Sequence, residues 1–157
     1  MQLKSVKGRA RLGFWAAVIA IAEVSTANAL VLRVEKQGDK GDVLLRVGMS
    51  NEDYSAAAGL MGGQNQVVDS SIPGDNDVNV ALPLTKDQYD RMRTNAAQEA
   101  SAGPDWCVTC DKGGAQITLK AINAFKASLL GTKQCETKAQ SPNLSVLGPG
   151  SCAQAGN

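Results

Sequence analysis

Four cysteines and no histidine set the limits on this 157-residue chain. The cysteines, Cys107, Cys110, Cys135 and Cys152, all fall in its last third. In an exported chain four cysteines read as two disulfides, with three possible connectivities. One pattern joins Cys107 or Cys110 to Cys135 and fixes Cys152 with the second bond. Another closes two short loops, Cys107–Cys110 and Cys135–Cys152. A cysteine hydrolase normally needs an imidazole to activate its thiol, so the cysteines point to staples before catalysis. Cys107-Val108-Thr109-Cys110 has the spacing of thiol–disulfide exchange, yet it comes late in the chain rather than after an early strand. Four thiolates also suit zinc, but export favours their oxidation, so neither a metal nor a cofactor is expected.

Residues 1–29 carry the marks of a secretory signal. Lys4, Lys7, Arg9 and Arg11 form a basic start, and Leu12 to Ala22 is an uncharged apolar run. That run is shorter than the ~20 residues of a membrane-spanning helix. Ala27-Asn28-Ala29 places small residues at the −3 and −1 positions of a cleavage site. The signal takes four of the 16 basic residues and one of the 15 acidic ones, leaving 12 and 14. With a net charge of −2 and no basic block, nucleic acid is not an expected partner. A periplasmic or secreted location follows, with no stable membrane span once the signal is removed.

The rest divides into a domain over residues 30–135 and a polar tail over 136–157, tethered by Cys152 or flexible. Leu30 to Val34 and Val43 to Met49 are predicted strands joined by a Gly/Asp turn. Asn51 to Gln66 is a long Gly/Ala-rich stretch, either a loop or a short helix. Short strands at Gln66–Asp69 and Val78–Leu82 flank a turn over Ser70–Asp77. Thr85 and Gln88 fit a capping box opening a helix that ends before Gly103-Pro104. The periodicity of Ile117, Ala121, Ala124 and Ser128 predicts a second helix over about 115–130, with Asp111 as N-cap and Gly131 at its end. The expected fold is α+β: a small antiparallel sheet from the N-terminal half, packed with two helices of the C-terminal half and stapled by disulfides.

The order of elements from Val78 to Phe125 resembles a papain-like amidase domain of the NlpC/P60 or LRAT-like kind. The words that carry it are Pro83-Leu84-Thr85-Lys86-Asp87-Gln88-Tyr89 before one helix, Trp106-Cys107-Val108-Thr109, and Ala121-Ile122-Asn123-Ala124 in the next. Upstream, Val47-Gly48-Met49-Ser50 is similar to that family's histidine-bearing strand. The resemblance implies a nucleophile at Cys107, at a helix N-terminus, and hydrolysis of an amide such as in peptidoglycan. It puts Arg46 where the base belongs, and arginine accepts no proton at physiological pH. The frame it implies is a pseudoenzyme or binding derivative.

Two further features are weaker. Asp75-Asn76-Asp77-Val78-Asn79 imitates the start of a calcium loop, but Val80 and Lys86 replace the required glycine and acid. Trp106 suits either core packing or a binding site. Together the residues favour an exported, disulfide-bonded binding or accessory protein with an unidentified protein or cell-envelope ligand. Its expected contact surface is Asn51–Gln66. The competing reading is the cysteine hydrolase.

Overall fold

The computed structural model describes residues 30–61, 67–68, 72 and 76–155. The signal reading of residues 1–29, the end of the Gly/Ala-rich stretch and most of the Ser70–Asp77 turn lie outside the described residues. Among the described residues, seven strands form one antiparallel sheet: β1 (Leu30–Gln37), β2 (Asp42–Met49), β3 (Val67–Val68), β4 (Val78–Leu84), β5 (Asp105–Cys110), β6 (Gln116–Lys120) and β7 (Leu144–Pro149). Their spatial order is β3-β4-β2-β1-β7-β5-β6. The helices are α1 (Asn51–Met61), α2 (Lys86–Gln98), α3 (Ala124–Ala139) and a terminal turn, α4 (Cys152–Ala155). Helices packed on an antiparallel sheet with two disulfides make this the expected α+β class.

One face of the sheet is a continuous apolar layer, because alternate residues of a strand share a face. Leu30 and Leu32 of β1 lie opposite Met49 and Val47 of β2 on one side, and Val146 and Leu144 of β7 on the other. Val80, Leu82 and Leu84 of β4 and Val108 and Cys110 of β5 extend the layer in both directions. Phe125 and Leu129 of α3 and Tyr89 of α2 join the same core. At about 25 cal/mol per Å² of apolar surface removed from water, this layer dominates stability. On the other face Arg33 and Arg46 stand directly opposite each other. Like charges so placed repel, and each has an acidic partner: Arg33 pairs with Asp111 at 2.9 Å and Arg46 with Glu35 at 3.1 Å.

The structure corrects several sequence expectations. The helix predicted from about residue 115 begins at Ala124, with Asn123 as N-cap. Residues 116–120 form β6 instead, hairpinned on β5. The turn between them contains Gly113 (φ 86°) and Gly114 (φ 73°), two successive left-handed positions that favour glycine. Gln116, Thr118 and Lys120 alternate with inward Ile117, so a period of two overrides the helical one. Asp111 caps no helix; it serves Arg33. Gly131 lies inside α3, and the helix ends at Gln140 in a left-handed conformation (φ 60°).

The largest correction concerns residues 136–157. They hold the end of α3 and β7, which occupies an interior position between β1 and β5. The sheet therefore draws β5, β6 and β7 from the C-terminal half as well as β1, β2 and β4 from the N-terminal half. The domain boundary expected at residue 135 does not exist, because removing β7 would split the sheet in two.

Candidate functional site

The sulfur expected to be a nucleophile is oxidised. Cys107 bonds Cys152 and Cys110 bonds Cys135. All four candidate cysteines are in disulfides, in one of the patterns the sequence left open. Cys107 lies within β5, not at a helix N-terminus, and has no solvent exposure. Arg46 lies on β2, separated from β5 by β1 and β7. Three interstrand steps of about 4.8 Å put it roughly 14 Å away at least. It holds Glu35 across the solvent face of the sheet and does not adjoin the sulfur. In this oxidised form no thiolate is present at Cys107.

A cleft opens at one end of the sheet. The end of β2, the starts of α1, β5 and α3, and the end of β7 converge there. Ser50, Glu52, Asp53, Trp106, Ile122 and Asn123 are among its lining, together with Pro149, and its volume is about 470 Å³. Local capping fixes its walls. The Asp53 N–H donates to Ser50 Oγ at 3.0 Å, and the Asn51 N–H donates to Asp77 Oδ2 at 3.2 Å. On the other wall the Lys126 N–H donates to Asn123 Oδ1 at 2.9 Å. The Trp106 indole N–H donates to the Ala121 carbonyl at 2.9 Å, which anchors a half-buried ring. Ile122 is 40% exposed, the one large apolar side chain so exposed among the described residues.

The electrostatics of this cleft are one-sided. Burial raises the Asp53 carboxyl above its ordinary value, against a hydrogen bond from Ser50 that lowers it, and Glu52 adds to the rise. Glu52 and Asp53 also occupy the first turn of α1, where the helix dipole favours negative charge. No protein-family model matches this chain, and no curated protein or solved structure does either. The site must therefore be read from its own chemistry.

A second groove, of about 500 Å³, runs between α2 and α3. Lys86, Arg93 and Lys133 line it, but two of these cations are already paired. Lys86 Nζ lies 2.7 Å from Asp90, and Arg93 lies 2.9 Å from Asp90 and 4.0 Å above the Tyr89 ring. Mutual hydrogen bonding pushes Lys86 up and Asp90 down from their ordinary values. This groove is bound to itself, whereas the cleft at Trp106 has no cation among the described residues of its lining. No group of three or more candidate metal ligands occurs among the described residues.

The sequence singled out the Asn51–Gln66 stretch and Trp106 separately. The structure brings the start of that stretch, as α1, together with Trp106. Asn123 and Ile122 were not expected as site residues. The signal that could have found them was the N-cap asparagine, hidden when residues 115–123 were read as helix.

Proposed function

We propose that this protein is an exported binding or accessory protein of the cell envelope or the extracellular space, and that it recognises its partner through the cleft between α1, β5 and α3. Two disulfides belong to an oxidising compartment. No helix among the described residues is long and apolar enough to cross a membrane. The observation that carries the binding reading is the convergence of an anchored Trp106, exposed Ile122 and the carboxylates of Glu52 and Asp53 in one concavity. An aromatic anchor, an apolar contact and a few placed polar groups are the usual ingredients of a recognition site. An immunity-type or inhibitor role fits such a surface.

The test is site-specific photo-crosslinking in the native host. A photoreactive residue replaces Ile122 in one variant and Lys112, on the β5–β6 turn, in another. A discrete adduct from position 122 that position 112 does not give is expected. Identical patterns from both positions, or an adduct from 112 alone, would overturn the reading.

A further inference from the structure

The cleft carries a charge imbalance that the described residues of its lining do not resolve. Among the described residues its lining includes two carboxylates, Glu52 and Asp53, and no cation. Lys126, on the first turn of α3, pairs with Glu99 instead. The charge acting most directly on Asp53 is another negative one, from Glu52. A partly buried carboxylate such as Asp53, beside the exposed Glu52, gains from a cation supplied from outside. The remaining lining is the Trp106 ring, Ile122, Ala56 and Pro149, an apolar shelf next to the acids. Lysine and arginine combine both needs, because their methylene stems lie along apolar surface while the charged head stays at a polar edge. Either head group also stacks favourably on an indole.

Resting on the binding reading above, we propose that the occupant is a lysine or arginine side chain of a partner protein, flanked by an apolar residue. Glu52 and Asp53 receive the charge, Trp106 supports the stem, and Ile122 meets the apolar neighbour. A volume of about 470 Å³ is ample for these two side chains.

The experiment is a ¹⁵N NMR titration of the full chain with four capped tripeptides: Leu-Arg-Gly, Leu-Lys-Gly, Leu-Gln-Gly and Leu-Glu-Gly. The arginine and lysine peptides are expected to shift the Trp106 indole N–H and the amides of Asp53 and Asn123. They should bind about tenfold more tightly than the glutamine peptide, the scale of one partly desolvated charge pair. The double variant Glu52→Gln/Asp53→Asn should lose that preference, so that the arginine, lysine and glutamine peptides bind it with the same affinity. Ile122→Ser should weaken all four peptides alike. Equal affinity for the arginine and glutamine peptides at these same signals would overturn the cationic occupant and leave the cleft as the binding site. Shifts confined to other residues, or none with any peptide, would overturn the cleft itself.

Discussion

Cys107 and Cys110 lie three residues apart on β5, and their disulfides leave on opposite faces of the sheet. An odd spacing on a pleated strand points two side chains opposite ways. Their Cα atoms are then roughly 10 Å apart by strand geometry, beyond the reach of a mutual bond. Cys110 reaches α3 in the core, and Cys107 reaches α4, whose Cys152 N–H donates to Thr118 on the neighbouring strand. The four sulfurs thus pin a helix to one side of β5 and the chain terminus to the other.

Exposure separates the two bonds kinetically. Cys107, Cys110 and Cys135 are fully buried, and Cys152 is half-buried. A thiolate must reach a sulfur to exchange with it. Graded reduction under native conditions, followed by alkylation and peptide mapping, should label Cys107 and Cys152 before Cys110 and Cys135. Replacing Cys110 and Cys135 together by alanine opens a loop with a sequence separation of 25. It should cost about 3 kcal/mol in urea denaturation.

The capping box at α2 is complete. The Gln88 N–H donates to Thr85 Oγ1 at 3.1 Å, and the Thr85 N–H donates to Gln88 Oε1 at 2.8 Å. Thr85→Ala should lower stability by about 1 kcal/mol, and Thr85→Ser should restore most of it, both measured by chemical denaturation.

Two glycines should respond differently to alanine. A Cβ on Gly103 would lie 2.0 Å from the Ala121 carbonyl oxygen, which is backbone and accepts the Trp106 indole N–H. Gly103→Ala should cost about 3 kcal/mol or more, because an overpacked backbone contact cannot relax by a rotamer change. On Gly131 the Cβ would meet the side chains of Leu144 and Val108 at 2.9 and 3.0 Å. There the helical preference for alanine, about 0.5–1 kcal/mol, offsets part of the clash. Gly131→Ala should cost about 1 kcal/mol net. Thermal unfolding of both variants distinguishes the two sites.

Tyr89 is buried, and its hydroxyl has no hydrogen bond of normal geometry. Burial pushes its phenol above the ordinary value, against a weak interaction with the Thr132 hydroxyl that lowers it. Removing an unsatisfied polar atom while keeping the ring should leave stability unchanged or raise it by up to about 1 kcal/mol. Tyr89→Phe, followed by urea denaturation, tests this. A large loss would mean that the hydroxyl has a partner.

Asp53 gives a pH dependence. Its folded-state value lies above the unfolded one, chiefly through burial. The folded protein then holds that proton more tightly than the unfolded chain does. Stability falls as pH rises from the unfolded value through the folded one, and the deficit persists at neutral pH. Asp53→Asn should stabilise the protein at pH 7 relative to pH 3. The side chain is only partly buried, so the gain should stay below about 1 kcal/mol. Equal stabilisation at both pH values would exclude titration as the cause.

By itself the sequence determined the parts whose physics is local. Thr85 and Gln88 announced α2 because a capping box involves only four consecutive residues. The alternation of β1 and β4 and the continuous apolar run of β2 announced strands, and the cysteine count announced two disulfides. Tertiary structure decided what depends on distant partners. Residues 116–120 carry both a helical and a strand period, and only pairing with β5 selects the strand. Leu144 to Pro149 looked like part of a polar tail, yet antiparallel pairing with β1 and β5 places it inside the sheet. The connectivity followed from the same event: once β5 is a strand, Cys107 and Cys110 face apart and each must find its sulfur elsewhere. The cleft is likewise a product of topology. Glu52, Trp106 and Ile122 are far apart in the chain, and strand order alone delivers them to one end of the sheet.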